Sequence, residues 1–203
     1  GSANRVEVNL ATGLGSAGDA AGDTLANIEN LRGSSQADAL TGDAGDNVLD
    51  PVFGGSGTEE LDGGAGADTA IIDISGTGLL GNPGLSLSLA SDGSGEAYRT
   101  SDFLTPIVTM AGIENLRVYT ARGDDQIVSA NGGDDIVNTG GGADNIAMGG
   151  GVDVVRAGDG DDSVSRLGAL SQTALTFPPG AAGLERSFTL DGGAGFDTLE
   201  LDL

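Results

Sequence analysis

The chain has 203 residues, with 38 glycines, 3% aromatic residues, and neither cysteine nor histidine. It is long enough for one or two domains with a buried core, but the lack of cysteine excludes a disulfide framework and thiolate metal sites. Its 31 acidic residues face 8 basic ones, all arginine, and the net charge of -23 makes it a poor partner for nucleic acid or an anionic membrane.

Residues 3–32 read as a strand-rich cap or lead-in, with Gly1-Ser2 set aside as a remnant of tag removal. Val6-Glu7-Val8-Asn9-Leu10 alternates with period two, which predicts a strand with one buried face. Gly13-Leu14-Gly15-Ser16-Ala17-Gly18 has the spacing of a dinucleotide-binding loop. The turn-like Asp19-Ala20-Ala21-Gly22-Asp23 follows where that fold requires a helix, so a plain loop is predicted.

A nine-residue unit then repeats at 33–41, 42–50, 54–62 and 63–71, giving a first short array over 33–71. Residues 72–119 leave the pattern and predict a strand-rich insertion or cap. Leu85-Ser86-Leu87-Ser88-Leu89 again has period two, Asp92-Gly93-Ser94-Gly95 is a turn signal, and 107–110 is apolar. The tetrapeptide Ile28-Glu29-Asn30-Leu31 recurs as Ile113-Glu114-Asn115-Leu116, each time just before an array. The main array occupies 120–165, with units at 120–128, 130–138, 139–147, 148–156 and 157–165. Residues 166–191, which include Pro178-Pro179, read as a loop excursion. A final unit at 192–200 falls in the last segment, 192–203, which reads as a truncated end. Helical periodicity is missing throughout, and no apolar run approaches the ~18–20 residues of a membrane-spanning helix.

Across these ten units the fourth position is glycine except at Gln36, and the sixth is acidic except at Asn47. The eighth is always apolar: Leu40, Leu49, Leu61, Ala70, Ile127, Val137, Ile146, Val155, Val164 and Leu199. Glycine at the fourth position lets carbonyls crowd together in a tight turn. The eighth residue sits mid-strand and points inward. One unit thus makes a turn and a short strand, two units complete a coil, and alternate units stack on the same edge ~4.8 Å apart. Two carboxylates ~5 Å apart repel by roughly 3 kcal/mol at an effective dielectric near 20. Rows of Asp125, Asp144 and Asp162 on one edge, and Asp135, Asp153 and Asp197 on the other, therefore call for a cation. Carboxylate and carbonyl oxygens suit calcium better than magnesium, and transition metals lack the histidine or cysteine they favour.

The units resemble the hemolysin-type calcium-binding nonapeptide of the repeats-in-toxin (RTX) family, most closely at 63–68 and 192–199. Residues 22–30 also resemble the lead-in that often precedes such arrays. The resemblance implies an all-β parallel β-roll filled with several Ca2+ ions, and a ligand scheme. One turn gives its second and fourth carbonyls and its acid, and the next turn on that edge gives its first and third carbonyls and its acid. Carried over, Ala121, Gly123 and Asp125 face Thr139, Gly141 and Asp144; Asn131, Gly133 and Asp135 face Met148, Gly150 and Asp153. Gly140, Gly142 and Asp144 face Ala157, Asp159 and Asp162, while Gly149, Gly151 and Asp153 face Gly192, Ala194 and Asp197 if the excursion returns in register. In the first array Asp43, Gly45 and Asn47 face Gly63, Ala65 and Asp68, with asparagine still offering an oxygen. Ser34, Gln36 and Asp38 opposite Gly54, Ser56 and Glu59 depart from the pattern: Gln36 replaces the glycine, Glu59 is one methylene longer, and Pro51-Val52-Phe53 interrupts the register.

Without His or Cys the usual nucleophile–base arrangements are unavailable, and acids that recur with the coil argue for ligation rather than glycoside hydrolysis. No enzyme activity is expected. Arg122-Gly123-Asp124 has the form of an integrin-type tripeptide but falls within a predicted turn, and Tyr98 and Tyr119 read as partly buried packing. The resemblance implies a module of a larger protein of a Gram-negative bacterium, exported by type I secretion and folding on extracellular calcium. A structural or adhesive cell-surface role is expected first, since the strand-rich interruptions are unlike a plain run of repeats. The alternative is the non-catalytic calcium module of a secreted enzyme or toxin. The partners expected besides calcium are neighbouring domains of the same protein or further copies of the chain.

Overall fold

The computed structural model describes residues 4–76, 84–167, 188–193, 195–196 and 198–201. The N-terminal segment supplies β1 (Glu7–Asn9), β2 (Leu14–Ala17) and β3 (Asn30–Arg32). The first array supplies β4 (Ala39–Thr41), β5 (Val48–Asp50), β6 (Glu59–Asp62) and β7 (Thr69–Asp73). Between the arrays lie β8 (Leu85–Leu89), β9 (Gly95–Arg99), β10 (Val108–Ala111) and β11 (Asn115–Tyr119). The main array gives β12 (Gln126–Ser129), β13 (Ile136–Asn138), β14 (Asn145–Met148), β15 (Asp153–Arg156) and β16 (Ser163–Arg166). β17 (Phe188–Asp191) and β18 (Thr198–Leu201) follow.

These strands form two sheets that share one apolar core. The 11-stranded sheet runs β18-β16-β14-β12-β8-β9-β10-β6-β4-β1-β2, and the 7-stranded sheet runs β17-β15-β13-β11-β7-β5-β3. Successive units send their strands to alternate sheets and pair in parallel, so the chain is an all-β parallel β-roll. The register explains the apolar column. Leu40 pairs with Leu61, Ile127 with Ile146 and then Val164, and Val137 with Val155. Each of these side chains is buried. Stacking like on like lets every coil bury one apolar residue per short strand, which compensates for the scarcity of large side chains.

Both arrays belong to the same pair of sheets, because the strands of 72–119 join them. β7 leads on to β8, which pairs forward with β12. The antiparallel β9 then carries the chain back to β10, which pairs with β6. β11 finally stands between β7 and β13 in the other sheet. One sheet thus holds three strands where the other holds β11 alone. Leu85, Leu87 and Leu89 face inward and are all buried, as their period-two pattern requires. At the N-terminal end β1 and β2 form an antiparallel hairpin, and a single 3-10 turn at Gly18–Ala20 stands where a dinucleotide fold needs a helix.

One expectation about the last unit is corrected. β17 occupies the place beside β15, in residues read as an excursion. The chain therefore reaches β18 on the other sheet, beside β16, with Thr198 opposite Ser163. Leu199 consequently lies at the end of a sheet and is 48% exposed, unlike its buried counterparts.

Truncating Leu87, which lies between Ala97 and Ile127, should cost the calcium-loaded protein about 2–5 kcal/mol. Leu104→Ala, at a side chain 93% exposed, should change stability by no more than about 0.5 kcal/mol. Denaturant unfolding of both variants in calcium measures the difference, and similar losses would contradict the described splice.

Candidate metal-binding edges

The turns that join the sheets stack along two edges, and the sixth residue of each unit forms a ladder. On one edge the Asp125 N–H donates to Asp144 Oδ1 at 2.9 Å, and the Asp144 N–H to Asp162 Oδ1 at 2.9 Å. On the other the Asp135 N–H donates to Asp153 Oδ1 at 3.2 Å. In the first array the Asn47 N–H donates to Asp68 Oδ1 and the Asp38 N–H to Glu59 Oε2, both at 2.7 Å. One carboxylate oxygen per residue is thereby committed to the backbone of the preceding coil.

The other oxygen is the informative one. The Oδ2 atoms of Asp68, Asp135, Asp144 and Asp153 are buried and accept no hydrogen bond. A buried carboxylate oxygen without a partner is costly, and more so when ionised. Burial, reinforced by neighbouring acids, raises Asp125 and Asp135 to about 7. Burial also raises Asp153 to about 6 and Glu59 to about 8, and it raises Asp68 and Asp144 as well. These groups are therefore set to be neutralised by a bound cation or by a proton.

Backbone carbonyls complete the arrangement. A Cβ on Gly140 would lie 2.5 Å from Ala121 O, and one on Gly142 would lie 2.4 Å from Gly123 O. On the other edge the corresponding approaches are Gly149 to Asn131 O at 2.1 Å and Gly151 to Gly133 O at 2.0 Å. Any side chain there would displace the second and fourth carbonyls of the preceding turn. Gly142 and Gly160, at φ 136° and 145°, also hold backbone conformations that other residues rarely adopt.

Four of the expected groupings are brought together. Ala121, Gly123 and Asp125 stack on Thr139, Gly141 and Asp144, with the Thr120 hydroxyl donating to Thr139 O at 2.5 Å. Asn131, Gly133 and Asp135 stack on Met148, Gly150 and Asp153, where the Gly150 N–H donates to Asn131 O at 2.8 Å. Gly140, Gly142 and Asp144 stack on Ala157, Asp159 and Asp162. Asp43, Gly45 and Asn47 stack on Gly63, Ala65 and Asp68, joined by Ala65 N–H to Asp43 O at 3.1 Å. The irregular turn carrying Gln36 also stacks its Asp38 on Glu59.

The grouping of Gly149, Gly151 and Asp153 with Gly192, Ala194 and Asp197 is not formed. Gly193 and Gly195 instead approach Gly158 O and Gly160 O, and the Phe196 N–H donates to Asp161 Oδ1 at 3.0 Å. The final unit thus continues the Asp162 edge, because β17 has taken the place beside β15. Ala194 and Asp197 themselves lie outside the described residues. One ladder residue escaped the repeat pattern: Glu114, whose Oε2 accepts the Asp68 N–H at 2.9 Å. Its only sequence signal is the duplicated Ile-Glu-Asn-Leu.

Among the described residues no group of three acidic side chains gathers as a ready-made metal site. A cation between turns must therefore draw on backbone carbonyls as well as two side-chain groups, a mixture of hard oxygens that fits calcium. Arg122-Gly123-Asp124 is absorbed by its turn, where Asp124 Oδ1 accepts the Ala143 N–H at 2.9 Å.

A sequence model described as the RTX calcium-binding nonapeptide repeat matches the chain in four copies, at residues 23–51, 52–71, 117–146 and 129–164. No curated protein and no solved structure matches.

The raised acids fix the sign of a pH dependence. For a carboxylate raised on folding, the proton-linked stability is fully present below its unfolded pKa near 4 and is lost as pH rises through the folded value. Here that loss falls between about 6 and about 8. In chelator the folded fraction, read by circular dichroism, should therefore rise as pH is lowered from about 8 to about 5. With calcium it should fall over the same range, because protons compete with the metal. Parallel curves would contradict shared use of these carboxylates. Asp144 lies between Asp125 and Asp162, whereas Asp38 has one acidic neighbour, Glu59. Asp144→Ala should weaken calcium-induced folding more than Asp38→Ala, as read by circular dichroism in a calcium titration. Equal shifts would count against the stacking of these ligand sets.

Proposed function

The chain is a calcium-binding β-roll of the RTX-repeat class, and from that premise we propose that it is a structural or adhesive segment of a larger exported bacterial protein, acting at the cell surface. Repeats of this class bind several Ca2+ ions, are themselves non-catalytic, and occur in proteins exported by type I secretion. Their occurrence supports an extracellular location for the segment. The ions would be held by the stacked sets built on Asp125, Asp144 and Asp162, on Asp135 and Asp153, on Asn47 and Asp68, and on Asp38 and Glu59. Calcium supplies positive charge between coils whose acids otherwise repel. The turns contribute carbonyls, the ladder acids contribute one oxygen each, and the glycines keep the space between coils clear. A chain of net charge -23 with few large apolar residues is poorly equipped to fold without that cation.

One observation favours a structural role over an accessory one. The β8–β10 meander is spliced into the middle of the roll, and the connection from β9 to β10 holds Phe103 and Leu104 outward at 59% and 93% exposure. A plain run of repeats would fold on calcium equally well without presenting such a surface. No catalytic role is proposed for the ladder acids, because those of the repeat units are buried and tied to the backbone of an adjoining coil.

Light scattering and electron microscopy of the purified chain, with and without millimolar calcium, test the proposal alongside attachment to cells stripped of their surface proteins. Calcium-dependent ordered assembly or attachment is expected. A calcium-loaded chain that stays monomeric and does not attach, from a gene that also encodes a catalytic domain, would favour an accessory module of a secreted enzyme or toxin.

A further inference from the structure

Along the edge that carries Asn47, Asp68 and Asp135, one turn is half the length of its two neighbours in the stack. β6 is joined to β7 by six residues, 63–68, and β12 to β13 by six, 130–135. Between them in the stack, β10 is joined to β11 by three: Gly112, Ile113 and Glu114. Gly112 takes the place of a first-position glycine, since a Cβ on Gly63 would lie 2.0 Å from Gly112 O, just as one on Gly42 would lie 2.2 Å from Gly63 O. Glu114 takes the place of the sixth-position acid. Its Oε2 accepts the Asp68 N–H at 2.9 Å, and Asp68 O accepts the Glu114 and Asn115 N–H groups at 3.1 and 2.8 Å.

The missing residues leave a cleft of about 420 Å3, bordered by Ala67 on one side and Gly132, Gly133 and Asp134 on the other, with Glu114 and Asn115 between them. Asn115 and Asn131 brace it: Asn115 Oδ1 accepts the Asp134 N–H at 2.8 Å, and Asn131 Nδ2 donates to Glu114 O at 2.6 Å. The short turn is thus a fixed feature of the edge. Beside Glu114 stands Asp68, fully buried, with an Oδ2 that accepts no hydrogen bond. The carbonyl of Gly64 faces the same place, 2.8 Å from where a Cβ on Gly112 would stand.

We propose that Asp68, Glu114 and the Gly64 carbonyl form a further calcium site, outside the nonapeptide pattern and bordering this cleft through Glu114. The inference rests on the calcium reading of the roll but assigns an ion where no complete repeat turn exists. A glutamate suits the position because its extra methylene spans part of the distance left by the shortened turn. With fewer protein oxygens available, water fills the remaining coordination positions on the cleft side. The site therefore binds more weakly than its neighbours and loses its ion first as calcium is lowered. The duplicated tetrapeptide provides an internal control. Glu29 holds the same place in its tetrapeptide, but β3 is the last strand of its sheet among the described residues, so no preceding turn supplies a counterpart of Asp68, and Glu29 is exposed.

The test counts ions by native mass spectrometry and isothermal titration across a calcium series, with circular dichroism as the folding control. Glu114→Gln is expected to fold and to bind one ion fewer than the unaltered chain, with the weakest binding phase lost. Glu29→Gln is expected to leave the count unchanged. If Glu114→Gln folds and binds the full number, or if Glu29→Gln loses the same ion, the site is overturned while the roll remains a calcium protein. If the unaltered chain binds no calcium, the functional reading itself fails. Should Glu114→Gln not fold, crystals of the unaltered calcium-loaded chain decide the matter. Anomalous density between Asp68 and Glu114 supports the site, and its absence with neighbouring turns filled overturns it.

Discussion

Stacking identical turns at the spacing of a β-sheet forces like charges into contact. Asp125, Asp144 and Asp162 are each separated from the next by one coil, and the N–H of one is bonded to the carboxylate of the next. That bond fixes the direction of each carboxylate and leaves its second oxygen buried. At Asp144, Asp135 and Asp153 that oxygen accepts no hydrogen bond. The arrangement is stable only if something positive occupies the edge, so apolar stacking inside the roll and cation binding at its margins depend on each other. A core built mainly from one aliphatic residue per strand contributes steadily along the roll but modestly per coil. The edge chemistry therefore decides whether the stack forms.

The same dependence explains the tolerance for the β8–β10 splice. A solenoid accepts an insertion if each new strand presents its inward residues to the neighbours on either side. Leu87 does so between Ala97 and Ile127, and Met110 does so beside Leu61. The insertion adds two strands to one sheet only, so the two edges are affected differently. One edge passes its acid ladder from Asp68 to Glu114, while Leu85 caps Asp125 on the other through a backbone N–H at 2.6 Å. Continuity of the sheets is kept at the cost of one shortened turn, and the cleft lies there.

Much of this was legible in the residues. Glycine at the fourth position, acid at the sixth and an aliphatic residue at the eighth each correspond to a physical need of a nine-residue coil. The strands, the inward column and four stacked groupings follow from them. What the repeats left unread are the places where the period lapses. The strand Phe188–Asp191 lies in a stretch with no unit, so the repeat spacing alone puts the last turn on the Asp153 edge, one strand out of parity. Leu199 is exposed because β18 is the last strand of its sheet among the described residues, which position within a unit does not encode. Glu114 was seen as part of a repeated tetrapeptide, yet its role depends on a three-residue turn joining strands whose partners lie far away in the chain. Contacts of that kind are set by topology, and no local spacing encodes them.

The central claim is that the cation and the stacked coils form one cooperative structure. Amide hydrogen exchange of the purified chain, measured with saturating calcium and again after complete chelation at neutral pH, tests it most directly. The account predicts strong protection of β12 to β16 with calcium and its collective loss on chelation. Protection that persists unchanged without the metal would contradict it, for the buried acids would then be tolerated by the polypeptide alone.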